Sequence, residues 1–207
     1  MTKEKKAQLT QAQKTQISDQ NMLREATNLI LEIGTTRTTL KDVSIRAGYS
    51  RGFASARFGS KDGLFLNLEK SHRALWKDYL KQCLGDKTGL QAVLARIDAM
   101  ESILKEETDN VRAMYLLWFD SVGQKSVLDE RLTKFNKDAQ AAVIVHIIEG
   151  IKSGDISAEI TPNAYALRHM AEIFGLIYLW ISSPDTIDIC ACLRSLRLRT
   201  ETELKVV

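Results

Sequence analysis

Cysteine is scarce in this sequence of 207 residues, and so are proline and long apolar runs. The three cysteines, Cys83, Cys190 and Cys192, are odd in number and do not have zinc-site spacing. We therefore expect free thiols, a cytoplasmic location and no metal. Residues 1–16 lack the apolar core of a signal peptide and predict a flexible tail. No apolar run reaches the roughly 20 residues that a membrane-spanning helix needs, so we expect no membrane partner.

Motifs of enzyme active sites are absent as well. The sequence contains no glycine-rich phosphate loop, no nucleophile elbow and no His-Glu-x-x-His motif, and its carboxylates are scattered without a recognisable pair. We therefore predict no catalytic residue and no cofactor. An all-α enzyme or carrier whose front region binds nothing remains the alternative from a different class.

The apolar residues recur at helical spacing, and only Pro162 and Pro184 could interrupt helices, so the pattern predicts an all-α fold. Charge is distributed unevenly along the chain. Residues 1–80 contain 14 Lys/Arg and 8 Asp/Glu, a net charge of +6, whereas residues 81–207 contain 15 and 18, a net charge of −3. This asymmetry indicates a nucleic-acid-binding front followed by a region with another task.

Residues 38–65 predict two short helices joined by a tight turn and followed by a longer helix. Thr39 begins a capping box with Asp42, and Gly48 suits the end of the first short helix. Ser50 is expected to cap the second, whose outward side is small and basic. The residues on that side are Arg51, Gly52, Ser55 and Arg57. Such a helix-turn-helix fits the major groove of DNA.

In order and spacing this stretch resembles the DNA-binding domain of TetR-family transcriptional repressors. The residues that fit the family pattern are Thr38, Thr39, Asp42, Val43, Ala47, Gly48, Tyr49, Ser50, Gly52, Phe58, Lys61, Asp62, Leu64 and Phe65. The resemblance covers about the first third of the chain. It implies an N-terminal three-helix DNA-binding domain and a C-terminal helical domain for ligand binding and dimerisation.

The sequence departs from the family at Phe53, Ser55 and Arg57, so phosphate contacts made elsewhere by aromatic residues are expected to pass to Arg57. Lys61 lies in the first turn of the next helix, where free N–H groups already favour an anion, and it predicts a phosphate clamp. The predicted DNA contacts are Thr38, Thr39, Lys41, Tyr49, Ser50, Arg51, Gly52, Phe53, Ser55, Arg57 and Lys61.

The predicted DNA-binding domain spans 17–65, with its first helix from Ser18 to Gly34, and a connecting helix spans 66–84. A glycine-rich break opens the rear domain, 85–207. Its helices are predicted at 89–106, 110–123, 127–150, 163–182 and 185–199, with caps that include Asp109, Ser126 and Ser183.

Two rear segments, 111–119 and 170–181, are apolar on nearly every side and are therefore expected to be buried on every side. We predict that residues 163–199 pair with a second copy in a four-helix bundle, as TetR-like proteins dimerise. The predicted interface residues are Leu167, Phe174, Ile177, Ile181, Ile189, Leu193 and Leu196.

The rear aromatic residues and histidines also suggest a small-molecule pocket. Its predicted residues are Met114, Tyr115, Trp118, His146, His169, Met170, Phe174 and Tyr178. The sequence thus predicts a homodimeric repressor that binds a near-palindromic double-stranded DNA operator and is released by a small apolar or amphipathic effector. A regulator whose rear domain only dimerises is the closer alternative. The operator, the effector and the regulated genes stay open.

Overall fold

The computed structural model describes residues 10–206, which form nine α-helices and no strand, so the all-α prediction is confirmed. The helices are α1 (Gln11–Arg37), α2 (Leu40–Arg46), α3 (Phe53–Phe58), α4 (Lys61–Leu84), α5 (Gly89–Glu106), α6 (Thr108–Ser121), α7 (Val127–Ser153), α8 (Pro162–Ser182) and α9 (Ile189–Leu204). The chain divides into two compact units, Met1–Leu68 and Glu69–Val207, with the boundary inside α4.

Helix α1 begins seven residues before the predicted start at Ser18. The Thr10 hydroxyl accepts a hydrogen bond from the Gln13 N–H at 3.2 Å, and the Gln13 side chain accepts from the Thr10 N–H at 2.8 Å. This capping box starts the helix within the polar segment, so the predicted flexible tail is wrong for 11–16. Residues 1–9 lie outside the described part of the chain. Gly34, with a φ of 81°, interrupts α1 where the first helix was expected to end.

The first unit has its own small core. Met22, Ala26 and Ile30 of α1 are buried together with Val43 of α2 and Ala54 of α3, each at most 1% exposed. The beginning of α4 adds the buried residues Leu64, Phe65 and Leu68. Because α2 packs on both α1 and α3, α3 is held at a defined position relative to α2.

In the second unit, α5 packs against α6, α7 and α9. Most of its side chains are buried, which fits a helix surrounded by others. The apolar segment 111–119 of α6 is also buried on most sides, as predicted. The segment 170–181 of α8 is not, because one side of that helix is exposed.

Three helices of the second unit begin elsewhere than predicted, and α8 differs by a single residue, because it begins at Pro162. Helix α6 begins at Thr108 rather than near residue 110. Helix α9 begins at Ile189 rather than at residue 185, because the Asp188 carboxylate accepts a hydrogen bond from the Ala191 N–H at 2.9 Å and caps it there. Ser126 caps α7 as predicted, accepting from the Asp129 N–H at 3.2 Å.

Candidate functional site

The turn between α2 and α3 is fixed by a buried serine that sequence reasoning missed. The Ser44 hydroxyl donates to the Leu40 carbonyl oxygen at 2.9 Å and accepts from the Ala54 N–H of α3 at 2.9 Å. Gly48 has a φ of 82°, and this allows the Tyr49 N–H to reach back to the Ser44 carbonyl at 2.8 Å. The spacing in the sequence could have indicated the first of these contacts, because Ser44 lies one helical turn after Leu40 and its hydroxyl can reach the Leu40 carbonyl.

Helix α3 has only six residues and presents Ser55, Ala56 and Arg57 to solvent. The expected cap at Ser50 is wrong. Gly52 occupies the N-cap position without a side-chain hydrogen bond, and Ser50 accepts the Phe53 N–H through its carbonyl at 2.9 Å. The Phe53 ring stacks on Tyr49 at a centroid distance of 4.5 Å.

Several cations around this turn have no carboxylate partner among residues 10–206. Lys41 at the start of α2 and Arg51 in the turn are exposed. The ammonium of Lys61, at the start of α4, donates to the Thr36 carbonyl at 2.7 Å and lies 5.5 Å from the Phe65 ring centroid. An ammonium has three donors, so two of them remain free.

Other cations of the first unit are already neutralised. Arg57 forms two hydrogen bonds to the Asp19 carboxylate, at 2.6 and 2.5 Å, and these raise the pKa of the guanidinium. Arg46 pairs with Glu32 and, at 3.4 Å, with Glu25. Arg57 therefore offers less uncompensated charge to a phosphate than the sequence predicted.

Thr38 is wrong as a predicted DNA contact. It is 0% exposed, and both its hydroxyl, at 2.9 Å, and its N–H, at 3.3 Å, donate to the Gly34 carbonyl. The sequence pattern placed it in the motif but could not show that it closes the break in α1. Its exposed neighbour Arg37, which donates to the Ile33 carbonyl at 2.7 Å, was missed.

The second unit contains a narrow cavity of about 40 Å³. Four of the predicted pocket residues line it, namely Tyr115, His169, Met170 and Phe174. The other residues that line the cavity were not predicted: Trp76, Arg96, Met100, Phe135, Ala139, Val143 and Ile173. The most informative signal among them was Arg96, a lone charge inside the apolar run 89–97.

The remaining predicted pocket residues lie elsewhere. Met114 and Trp118 are buried at 0% and 1% exposure and do not line the cavity. His146 is half-buried, with Nδ1 at 3.3 Å from a carboxylate oxygen of Glu149. Tyr178 is 56% exposed. Aromatic composition identified the region, but only packing decided which rings reach the cavity.

A wider groove of about 380 Å³ shares lining residues with the cavity. The shared residues are Trp76, Arg96, Phe135 and Ala139. Arg73, Lys77 and Asp138 also line the groove. Asp138 pairs with Lys134 at 3.0 Å and Arg73 pairs with Glu69 at 3.4 Å, so Lys77 and Arg96 are the lining charges without a carboxylate partner among residues 10–206.

Burial dominates the electrostatics of the cavity. It raises the pKa of Tyr115 and lowers that of Arg96. The pKa of His169 is lowered to about 4, first by burial and then by the positive charges of Arg96 and Arg168. His169 is consequently neutral near pH 7 and offers one donor and one acceptor nitrogen.

The predicted dimer interface needs correction. Ile189, Leu193 and Leu196 are at most 6% exposed, because the most regular apolar stripe of α9 packs on α5 of the same protomer, and Ile177 of α8 is 0% exposed. Phe174 lines the cavity, and Ile181 is half-buried. Leu167, at 62% exposure, is the one predicted residue that faces outward. It belongs to an exposed face that also contains Ala171, Gly175, Tyr178 and Leu179 of α8 and Leu198 of α9.

Residues 22–68 match the model of a family described as bacterial regulatory proteins, tetR family. The match includes α2, the turn and α3, with the uncompensated cations described above. This stretch of the chain is similar to the DNA-binding region of TetR-family regulators. The matched region makes the chain a DNA-binding transcriptional regulator, and regulators of that family are generally not enzymes. TetR regulators bind DNA and form homodimers.

Solved structures of TetR-type regulators share the fold. NalD of Pseudomonas aeruginosa, the secondary repressor of the MexAB-OprM multidrug efflux pump, is 20% identical, with a TM-score of 0.75 over 93% of this chain and 98% of NalD. SmeT of Stenotrophomonas maltophilia, repressor of the pump SmeDEF, is 19% identical, with a TM-score of 0.72 over 91% and 90%. MbdR of Azoarcus sp. CIB is 20% identical, with a TM-score of 0.76 over 91% and 100%.

No curated protein matches the chain. Among residues 10–206, no helix is long and apolar enough to cross a membrane. The same residues contain no cluster of three or more His, Cys, Asp or Glu that could hold a metal ion.

Proposed function

We propose that this TetR-family regulator is a homodimeric repressor that leaves a near-palindromic operator when a small molecule binds its second unit. The observation that supports DNA binding is that the cations of the first unit divide into ion-paired and unpaired ones. Arg46 and Arg57 are neutralised, whereas Lys41, Arg51 and Lys61 surround the turn and α3 without a carboxylate partner in the described chain. A row of uncompensated cations beside a short exposed helix suits a DNA backbone.

The proposed contacts divide into two kinds. Lys61 and Lys41, together with Arg37, would bind phosphates and fix the register, while Arg51 and Ser55 would face base edges. Arg57 would contribute less to the proposed surface, because it is paired with Asp19. The residues of that surface are Arg37, Thr39, Lys41, Tyr49, Ser50, Arg51, Gly52, Phe53, Ser55 and Lys61. Thr38 is omitted because it is buried.

We place the dimer interface on the exposed face of α8 and α9 rather than on the residues first predicted. Leu167, Tyr178, Leu179 and Leu198 are between 54% and 64% exposed, an unusual concentration of large apolar side chains. Gly175 lies among them, and a Cβ there would meet nothing within 4 Å. A glycine inside an exposed helix costs about 1 kcal/mol relative to alanine, which the close approach of a partner helix would offset.

The cavity and its groove support an apolar or amphipathic effector. Their walls combine aromatic side chains with a few polar groups, the usual composition of a ligand site. One solved structure of SmeT is a complex with triclosan, which shows that a protein of this fold accepts a small apolar molecule. The effector acts only through its difference in affinity between two dimer shapes, and a tenfold release requires about 1.4 kcal/mol.

The test begins with selection of binding sites from random duplex DNA by the full-length protein. We expect enrichment of near-palindromic sequences whose half-sites lie about one helical turn apart, and affinity that falls with salt. Compounds are then screened for release of the selected duplex. Failure to enrich any sequence would contradict the operator, and release without ligand binding to the protein would contradict the effector site.

The small volume of the inner cavity, about 40 Å³, favours one alternative, a regulator whose second unit only dimerises. Thermal shift measurements across a metabolite library separate the two. A ligand-binding unit shows concentration-dependent stabilisation by at least one compound class, whereas a dimerisation unit shows none.

A further inference from the structure

Arg96 lacks the partner that a buried guanidinium normally has. It lies in α5 at 8% exposure and lines both the narrow cavity and the wider groove. Within residues 10–206 no carboxylate lies at ion-pair distance from it, and burial alone lowers its pKa. A buried charge without a counter-ion is costly, so this residue destabilises the ligand-free cavity.

His169 faces the same cavity from α8. It is 2% exposed, and neither of its ring nitrogens has a hydrogen-bond partner. The positive charge of Arg96 is close enough to contribute to the lowered pKa of the ring. Two buried polar side chains from different helices thus line one cavity: His169 has no hydrogen-bond partner and Arg96 has no carboxylate partner among the described residues. Native interiors rarely leave a buried ring nitrogen without a partner unless water, an ion or a ligand supplies it.

The surroundings of this pair determine what such a ligand looks like. The remaining walls are apolar and include Met100, Phe135 and Ile173. The groove adds two further cations: Arg73, which lies 3.4 Å from a carboxylate oxygen of Glu69, and the exposed Lys77, which attracts an anion from solvent. A narrow space with one guanidinium and one neutral imidazole suits a planar monoanion better than a phosphate, which needs more donors.

We propose that the effector is an amphipathic carboxylate whose carboxylate group pairs with Arg96 and accepts a hydrogen bond from His169, while its apolar body occupies the groove. This inference rests on the proposed function, because it names the ligand class of the effector site. The guanidinium supplies two parallel donors to a carboxylate, a geometry that adds directional specificity to the charge attraction. Binding also gives Arg96 the counter-ion that it lacks.

Matched acids and esters test the head group directly. Dodecanoate and 4-phenylbutanoate are titrated into the full-length protein alongside their methyl esters, with calorimetry and tryptophan fluorescence as readouts, since Trp76 lines the groove. We expect at least one acid to bind about tenfold or more tightly than its ester, because a hydrogen-bonded charge pair is lost in the ester.

Single substitutions test which side chains cause the preference for the acid over the ester. Arg96→Met removes the charge and keeps the volume, so we expect acid and ester to bind with equal, weak affinity. Lys81→Met is the matched control, because it removes an exposed cation of α4 that lines neither the cavity nor the groove, and it should change the preference less than about twofold. His169→Leu should weaken the acid several-fold and the ester little. Ligand-free Arg96→Met should melt at a higher temperature than the wild type, and this also confirms that it folds.

The possible results of these experiments test the carboxylate site and ligand-released repression separately. Equal affinity for acid and ester in the wild type, a preference that survives Arg96→Met, or no binding by either acid overturns the carboxylate site. Arg96-dependent acid binding with unchanged affinity for the selected duplex leaves the site intact and contradicts ligand-released repression. A neutral compound that releases DNA equally from wild type and Arg96→Met supports the proposed function and overturns the carboxylate.

Discussion

Arg51 and Arg96 both lack a carboxylate partner in the described chain, but their environments are opposite. Arg51 is exposed in the turn of the first unit, whereas Arg96 is 8% exposed in the second. Water solvates the first at little cost, while the second pays for desolvation. An unpaired surface cation is thus available to a polyanion of any sequence, and an unpaired buried cation marks the place of one particular anion. Burial, rather than residue type, separates the two functions.

The largest effect expected from this contrast lies in two adjacent residues of α8. Ile177 is 0% exposed and Tyr178 is 56% exposed. We expect Ile177→Asp to destabilise the second unit by about 5 kcal/mol, because an unpaired charge enters its core. Tyr178→Asp should leave the fold intact and give monomers. Chemical denaturation and sedimentation measure the two, and a folded monomer from Ile177→Asp would restore the interface first predicted.

The cost of burying a charge also predicts how the free energy of unfolding depends on pH, through two buried histidines. The native pKa values of His72 and His169 are lowered from 6.5 to about 4, chiefly by burial. The unfolded chain therefore binds more protons than the native one between pH 6.5 and 4, and the free energy of unfolding falls as pH decreases through that range. Each histidine contributes about 3 kcal/mol to the loss. In denaturant titrations from pH 7 to 4, His169→Leu should flatten part of this dependence. If the free energy of unfolding depends on pH equally in His169→Leu and in the wild type, protonation of the His169 ring does not destabilise the native state.

A surface cation should behave differently. Lys61→Ala should weaken binding to the selected duplex and to unrelated DNA by similar factors of about tenfold. The slope of log K against log salt should decrease by about one unit per phosphate contact, hence by about two for a dimer. The control Lys134→Ala removes an exposed cation of the second unit and should change neither quantity. A loss of affinity confined to one sequence would identify Lys61 as a base contact.

The smallest expected effect concerns a cation that the fold already neutralises. Asp19→Asn removes the carboxylate that holds Arg57, and it leaves Arg57 free to reach a phosphate. Nonspecific DNA affinity should rise a few-fold at low salt, because exposed ion pairs are worth at most about 1 kcal/mol. Arg57→Ala in the wild-type background should have little effect. Strong loss of binding in Arg57→Ala would show that Arg57 contacts DNA despite its partner.

Local patterns in the sequence predicted much of the fold. Helical spacing and caps identified the helices, and Ser126 caps α7 as expected. The motif from Thr39 to Phe65 contains its own turn signal at Gly48, so the helix-turn-helix could be predicted without tertiary information. Such signals act over a few residues along the chain, which is the distance over which capping and turn chemistry operate.

Pairings between distant segments could not be predicted in this way. The Asp19 and Arg57 side chains meet across 38 positions of sequence, and either residue alone reads as an ordinary surface charge. The buried stripe of α9 carried a similar ambiguity, because an apolar face packs equally well on its own protomer or on a partner.

By itself, the sequence determined the helical class, the DNA-binding motif and the separation of a basic front from a mildly acidic rear. These properties depend on spacing and composition, and both are local. Only the tertiary structure decided that Thr38 is buried, that Leu193 faces its own core, and that Arg96 lines one cavity together with the unpartnered ring of His169. Burial and pairing are properties of how distant helices pack, because the cost of a charge depends on which atoms surround it rather than on its neighbours in the chain.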